Sequence, residues 1–192
     1  MDQYREKNGE IKGANRFGKS FKKAAFGSRR KKMQKIIKKA ENSPLSTSDL
    51  AFLTNRQPNF LGIFASDELE SLRVLRGPVY FIVNLDISTQ PGSHWLAFRI
   101  SKTTLEIFDS LGFNSFLWVK YPTQLLKFLS RYVKSHRFRI SPVLQPPDSH
   151  TCGLFCVFYI YYRQKLTFTN CVKKFSRNLN LNNLLLRSLF DK

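Results

Sequence analysis

The sequence predicts an α+β domain, with a mixed, mostly antiparallel sheet flanked by helices. An apolar, β-branched run at 78–87 is typical of a buried strand. Two further strand-like segments, 94–100 and 104–110, are joined by only three polar residues, which indicates a hairpin. Residues 152–165 form a strongly apolar stretch of helical length. With 192 residues, 42% of them hydrophobic, the chain has material for one folded domain and a tail.

The tail is the basic part, and we assign it to residues 1–42, with the folded domain at 43–192. Residues 1–40 carry 14 Lys and Arg against 3 Asp and Glu, so most of the net charge of +19 lies there. Glycines among the charges of residues 1–30 predict a segment that is disordered in isolation. The stretch RRKKMQKIIKKA at 29–40 predicts a short basic helix.

The remaining elements follow from periodicity and capping signals. Ser46 or Ser48 is suited to cap a helix through residues 50–53, and Pro122 suits the first turn of a helix over 122–133. Residues 136–145 have strand character, and amphipathic segments at about 168–178 and 182–190 end the pattern. Trp118 and His136 have simple structural interpretations.

The positive charge makes polyanions the expected partners, and nucleic acid is the commonest of them in cells. A solvated charge run or a nuclear import signal is the alternative interpretation. We predict that DNA contacts come from the basic segment, through Arg29, Arg30, Lys31, Lys32, Lys35, Lys38 and Lys39.

Three cysteines, a polar beginning and no long apolar run predict a reducing, intracellular location without membrane insertion. HExxH, paired CxxC and GxxxxGK[ST] motifs are absent from the sequence, so no metal or nucleotide cofactor is expected for chemistry.

Four residues at predicted loop junctions have the types that thiol catalysis requires. Cys152 begins the apolar helix, where the helix dipole favours a thiolate. His94 opens one hairpin strand and Asp109 closes the other, so a base and its orienting carboxylate can meet. Gln145 ends the strand before the Cys152 loop and is a candidate oxyanion donor. Taken singly, each residue also has a plain structural explanation. His150 is a weaker candidate base, and Cys156 is expected to be a packed helix residue.

Several segments together resemble the adenovirus maturation protease family, adenain, and more distantly the SUMO-specific proteases of the same clan. GSHWLAF at 92–98 is similar to the histidine motif, FDSLGF at 108–113 to the acidic motif, and QPPDSHTCGLFC at 145–156 to the glutamine-to-cysteine motif. NFLGIF at 59–64 is similar to an upstream segment. The acidic motif has Asp where the adenovirus form usually has Glu, which is closer to the SUMO-protease pattern.

The resemblance implies a papain-like, adenain-type core with Cys152 as nucleophile, His94 as base and acid, Asp109 as orienting group and Gln145 as oxyanion donor. It also implies cleavage beside small residues, commonly Gly, and activation by DNA and a basic peptide. The family's disulfide-forming cysteine precedes the nucleophile, whereas Cys171 follows it. A covalently attached peptide is therefore not expected here.

We therefore expect an endopeptidase that cleaves viral capsid or core precursors during virion maturation, as a monomer in the host nucleus and virion. A deSUMOylating or deubiquitinating protease is the alternative with the same mechanism. A basic DNA-binding core protein with an inactive protease domain is the alternative of another class. The segment Ile11 to Ala14 loosely fits a self-cleavage site.

Overall fold

The computed structural model describes residues 14–74, 77–113 and 121–190, with side chains from residue 27 to residue 188 of those ranges. Trp118 and most of the suggested self-cleavage segment lie outside the described residues. In chain order the elements are α1 (Ala14–Lys39), α2 (Thr47–Thr54), β1 (Phe60–Phe64), a 3-10 helix (Ser66–Glu70), β2 (Val79–Asn84), β3 (Trp95–Ile100), β4 (Thr104–Phe108), α3 (Thr123–Ser130), β5 (Arg137–Ile140), α4 (Cys152–Tyr162), α5 (Phe168–Val172) and α6 (Leu179–Phe190).

The described strands form one five-stranded mixed sheet in the order β1-β2-β3-β4-β5. The central pairs β2–β3 and β3–β4 are antiparallel, whereas β1 and β5 add in parallel at the two edges. The register of the hairpin places Ala97 opposite Phe108. This arrangement confirms the predicted α+β class and the hairpin.

Alternate residues of the strands point to opposite faces and build two apolar layers. Tyr80 and Ile82 on β2 pack with α4, whereas Phe81 and Val83 pack on the other face with α3 and the 3-10 helix. Every residue from Cys152 to Ile160 is buried, so α4 is enclosed on all sides. No helix within the described ranges is both long and apolar enough to cross a membrane.

The end of α1 belongs to the core beneath α4. Ile36, Ile37 and Ala40 are buried in the same cluster as the α4 side chains. The helix begins at Ala14, well before the predicted start at Arg29, because extending a helix that is already anchored is easier than nucleating one. The boundary between a basic tail and a folded domain at residues 42 and 43 remains a prediction. The contacts of Ile36, Ile37 and Ala40 join the end of the predicted tail to the core of the domain.

Most predicted elements are present with shorter bounds. Ser46 caps α2 with a reciprocal capping box to Asp49, as its position suggested. Pro122 is the N-cap of α3, one residue before the predicted first turn. Strand β1 and the 3-10 helix were not predicted as elements. β1 contains Gly62 at φ 145° beside an irregularity in its pairing with β2, so it lacks a clean strand pattern.

A buried ionic cluster fixes the C-terminal end of α4 to β4. The carboxylate of Glu106 accepts hydrogen bonds from Arg163 Nε at 2.7 Å, Arg163 Nη2 at 2.9 Å and the Tyr159 hydroxyl at 2.6 Å. Arg99 Nη1 lies 3.5 Å from the same carboxylate. Burial raises the pKa of Glu106, but the bonds from Arg163 and Tyr159 outweigh it and hold the pKa below its usual value. Glu106 is therefore ionised and fully compensated.

Replacing Arg163 with Leu is expected to lower the free energy of unfolding by roughly 3–5 kcal/mol, because it leaves the Glu106 carboxylate buried without its main partner. Chemical denaturation monitored by circular dichroism measures the change. Arg177→Leu is the matched control, since Arg177 is an exposed arginine. Exposed ion pairs contribute about 0–1 kcal/mol, so a decrease in unfolding free energy below about 1 kcal/mol for Arg163→Leu would contradict this account of the cluster.

Candidate active site

His94 and Asp109 meet at one end of the central hairpin. His94 directly precedes β3 and Asp109 directly follows β4, and His94 Nε2 lies 2.8 Å from Asp109 Oδ1. The hairpin register makes this possible, because Phe108 pairs with Ala97 near the beginning of β3. Both side chains are buried, with Asp109 exposed by 1% and His94 by 9%. The sequence prediction that these two residues meet agrees with the geometry.

The Asp109 carboxylate is held in place by two further donors. The Leu111 backbone N–H donates to Oδ1 at 2.9 Å, and the Tyr121 hydroxyl donates to Oδ2 at 3.0 Å. The Asp109 backbone N–H donates to the Ser141 hydroxyl at 2.8 Å, which itself donates to the Asp109 carbonyl at 2.7 Å. Such contacts fix the direction in which the carboxylate faces the imidazole.

The loop at 85–93, which leads into His94, is closed by Asn84 at the end of β2. Asn84 Oδ1 accepts the backbone N–H groups of Asp86 at 2.9 Å and Ser93 at 3.3 Å. The Leu85 N–H donates to the His94 carbonyl at 3.0 Å. Gly92 has φ 95°, and a Cβ there would lie 2.4 Å from Asn84 Nδ2, so only glycine fits. The backbone of His94 is thus fixed from both sides.

Cys152 is the first residue of α4, and its sulfur lies near enough to the His94 ring to raise the pKa of that ring. Since Nε2 faces Asp109, Nδ1 is the ring nitrogen left for the sulfur. Burial lowers the pKa of His94, but the hydrogen-bonded Asp109 carboxylate and the nearby Cys152 sulfur raise it more, from 6.5 to about 9. The geometry therefore favours an imidazolium between a carboxylate and the Cys152 sulfur at neutral pH.

The other two cysteines have different surroundings. Burial raises the pKa of the Cys156 thiol well above its usual value, and that of Cys171 to about 11. Both side chains are buried and unpaired. The packing role predicted for Cys156 agrees with its position on α4. His150 is exposed, while His94 occupies the position beside the sulfur.

Gln145 lies buried beside the acidic motif and the Cys152 loop. Its Oε1 accepts the Ser110 hydroxyl at 2.6 Å, and its Nε2 donates to the Ser149 carbonyl at 2.7 Å. The Ser110 carbonyl accepts the Leu144 and Gln145 backbone N–H groups at 2.7 and 2.9 Å. The amide carries a second N–H besides the one on Ser149. Oxyanion donation by Gln145 stays a prediction, and the structure fixes the position from which it would act.

The predicted DNA contacts fall into two groups on α1. Arg29 donates to the Phe52 carbonyl at 3.0 Å and lies over the Phe52 ring, which Lys32 also covers. Lys39 pairs with Asp49 at 2.6 Å. The side chains of Arg30, Lys31, Lys35 and Lys38 are exposed. In the described part of the chain, no group of three or more His, Cys, Asp or Glu residues is placed to hold a metal ion.

Several positioning groups were not identified from the sequence. Ser110 lies inside the acidic motif FDSLGF, so a comparison of motifs could have identified it as a residue that positions Gln145. Tyr121, Ser141 and Asn84 have no periodic or motif signal that distinguishes them from ordinary loop residues. Their contacts depend on tertiary structure.

Asp109→Asn is expected to lower the pKa of His94 from about 9 by roughly one to three pH units, because the amide keeps the shape of the carboxylate but not its charge. A titration of the histidine ring resonances by NMR measures the pKa, and only three histidines need assignment. Since the folded pKa lies above 6.5, the stabilising contribution of His94 is complete below about pH 6.5 and is lost as the pH rises through about 9. The variant should therefore lose more stability at acidic pH than at alkaline pH.

Asp148→Asn is the control for this titration, since Asp148 is an exposed carboxylate four residues from Cys152. It should leave the pKa of His94 at about 9. An unchanged pKa in Asp109→Asn would show that the carboxylate does not stabilise the imidazolium.

Comparison with known proteins places these residues in a family context. The family model of the adenovirus endoprotease matches residues 60–183, which is more than half of the chain. No curated protein matches the chain.

The solved structures that are similar include the SUMO protease Ulp1 with its catalytic cysteine oxidised to a sulfenic acid, at 16% identity and a TM-score of 0.36, covering 77% of this chain and 79% of that one. Ulp1 with the cysteine oxidised to a sulfonic acid has 15% identity and a TM-score of 0.37, covering 85% and 96%. A protease of ASFV has 20% identity and a TM-score of 0.37, covering 56% of this chain and 43% of that one. On the match of the family model across the described hairpin, the Cys152 loop and α4, this chain belongs to the adenovirus endoprotease family.

Proposed function

We propose that this protein is a cysteine endopeptidase in which Cys152 is the nucleophile. The observation that supports it most directly is the buried His94 imidazole, which is hydrogen-bonded to Asp109 at 2.8 Å and whose pKa is raised by Asp109 and by Cys152, the first residue of α4. The match to the adenovirus endoprotease family supports the same assignment.

The proposed reaction begins with the Cys152 thiolate paired to the His94 imidazolium. The sulfur attacks the scissile carbonyl carbon, and the carbonyl electrons move to oxygen, which the Gln145 amide and the backbone N–H groups at the start of α4 stabilise. His94 then gives its proton to the leaving amine. In the second half, His94 takes a proton from water, which attacks the acyl-enzyme and releases Cys152. Asp109 orients the imidazole throughout.

We further propose that the substrates are viral precursor proteins of the capsid or core, cut beside small residues such as Gly during virion maturation in the host nucleus. Family membership supports this assignment. A SUMO or ubiquitin modifier is the alternative substrate, which the FDSLG form of the acidic motif favours.

DNA association is proposed through the exposed basic face of α1. Lys31, Lys35 and Lys38 are exposed, while Ile36 and Ile37 of the same helix are buried against the cluster that contains α4. A polyanion bound to the exposed face of α1 would therefore contact a helix whose opposite face packs in the same core as α4. We infer that α1 replaces a separate activating peptide, since the three cysteines are all buried.

Cys152 is expected to react with iodoacetamide at least about tenfold faster than Cys156 or Cys171 between about pH 5.5 and 7, because thiolate content controls alkylation. Peptide mass spectrometry resolves the three rates. His94→Ala should remove the advantage of Cys152, whereas His150→Ala, which alters an exposed histidine two residues from the nucleophile, should keep it.

Equal rates at all three cysteines, in the absence and in the presence of DNA, would contradict the ion pair and favour an inactive scaffold. Cleavage is then read from a peptide library incubated with the wild type and Cys152→Ala, with Gly expected next to the cut bond. Processing of a SUMO fusion as efficiently as a Gly-flanked precursor peptide would favour the modifier protease.

The triple substitution of Lys31, Lys35 and Lys38 by Gln is expected to weaken DNA binding and to reduce the slope of log K against log salt by up to about three, because each lost phosphate contact removes about 0.9. Fluorescence anisotropy with a duplex at several salt concentrations measures both. Substitution is preferable to deletion of residues 1–40, which would remove the buried Ile36 and Ile37.

The control replaces three exposed lysines elsewhere by Gln, namely Lys134, Lys165 and Lys173. It changes the net charge equally and should retain the wild-type slope if α1 forms the DNA site. Equal losses in the two triple variants would show that binding follows net charge alone.

A further inference from the structure

The irregular segment 144–151, which connects Gln145 to Cys152, is held at both ends by two consecutive asparagines of α6. Asn182 Nδ2 donates to the Leu144 carbonyl at 2.8 Å, and the Thr151 hydroxyl donates to Asn183 Oδ1 at 2.8 Å. A segment without regular secondary structure depends on external partners for its conformation. The first asparagine fixes the beginning of this segment and the second fixes its end.

The orientation of Asn182 is determined by its own contacts. The residue is fully buried, its Oδ1 accepts the Ser176 N–H at 2.7 Å, and its Nδ2 also donates to the Ser176 carbonyl at 3.0 Å. A reversed amide would place its oxygen against two carbonyl oxygens, which excludes that rotamer. Leu144, next to Gln145, is therefore held by a fixed donor.

The contact to Asn183 is made by the residue directly before α4. Thr151 is the N-cap residue, and a threonine there commonly accepts a hydrogen bond from the N–H groups of the first turn. Thr151 instead has φ −90° and ψ 4°, and its side chain makes no capping bond. Its hydroxyl lies between Asn183 Oδ1 and the Ser149 hydroxyl, which is 3.1 Å away, and the N–H groups of the first turn have no side-chain cap.

We propose that Asn183 is a positioning residue for oxyanion stabilisation, which fixes Thr151 and with it the uncapped first turn of α4, while Asn182 fixes the Gln145 side of the same loop. This inference rests on the proposed role of Cys152 as the nucleophile. It gives α6 a role in catalysis that is exerted through the segment 144–151 and not through contact with the substrate.

Two reactions of Cys152 separate this role from a general structural one. Alkylation by iodoacetamide forms a sulfur–carbon bond and expels iodide, and it creates no oxyanion. Addition to a peptide aldehyde forms a sulfur–carbon bond while the carbonyl electrons move to oxygen, which takes up a proton to give a hemithioacetal. Only the second reaction places an oxygen at the position that the α4 N–H groups and Gln145 face.

Asn183→Ala is expected to raise the inhibition constant of acetyl-Ala-Gly-glycinal about tenfold, equivalent to about 1.4 kcal/mol, and to lower kcat on a peptide substrate by a similar factor with little change in KM. The alkylation rate of Cys152 at mildly acidic pH should stay within about twofold of the wild type, because the His94 pair is intact. Inhibition kinetics and peptide mass spectrometry give the two numbers from one preparation.

Three variants serve as controls. Asn183→Asp keeps the Oδ1 acceptor and should restore aldehyde binding, whereas Asn180→Ala removes an exposed amide from the same helix and should have no effect. Thr151→Val removes the donor, so it should reproduce Asn183→Ala, and combining the two should add no further loss.

Parallel losses of alkylation and aldehyde binding in Asn183→Ala would show a purely structural role and overturn the inference, as would the absence of any change. A wild type that alkylates rapidly but does not bind the aldehyde would also overturn it. A wild type in which Cys152 neither alkylates rapidly nor binds the aldehyde would overturn the proposed function itself, which distinguishes the two failures.

Discussion

The position of α4 along its own axis is the constraint on which the rest of the site depends. Apolar burial holds this helix in the core, but such packing is non-directional and does not by itself determine where the helix stops. Polar contacts at the two ends do so, through Arg163 and Glu106 at the C-terminal end and through Thr151 and Asn183 at the N-terminal end. A slide by one turn, about 5.4 Å, would separate the Cys152 sulfur from His94.

Strand β4 supplies a carboxylate near each end of α4, and the two carboxylates differ in the partner that neutralises them. Glu106 pairs with Arg163, whose guanidinium keeps its proton at any accessible pH. Asp109, just beyond the strand, pairs with His94, whose ring can give up its proton. One buried charge pair therefore serves only to hold the helix, while the other is able to take part in proton transfer.

Local sequence signals were sufficient for the parts of the site that are close in the chain. A three-residue connection forces 94–100 and 104–110 into a hairpin, so the meeting of His94 and Asp109 followed from sequence, as did the position of Cys152 at a helix start. Strand β1 was not predicted, for two reasons. It pairs in parallel with β2, so no short hairpin turn marks it in the sequence, and Gly62 interrupts its alternating pattern.

The contacts that position the site residues could not be predicted from the sequence, because they join residues that are distant in the chain. Asn183 lies 32 residues from Thr151, and Tyr121 lies 12 residues from Asp109 across a segment with no regular spacing. A single polar residue on an amphipathic helix has the same local pattern whether it faces solvent or a distant loop. Only the packing of α6 on the core distinguishes these possibilities.

The order of these elements along the chain also determines when the site can be assembled during synthesis. The hairpin emerges from the ribosome first and carries both His94 and Asp109, which are 15 residues apart. Cys152 follows with α4, and the partner of Thr151 is translated later still. Since chains fold progressively from the N-terminal side, the nascent protein acquires its base before its thiol and its anchored loop last. The segment 144–151 gains its contacts to Asn182 and Asn183 only once α6 has left the ribosome, so the start of α4 is fixed after the hairpin has formed.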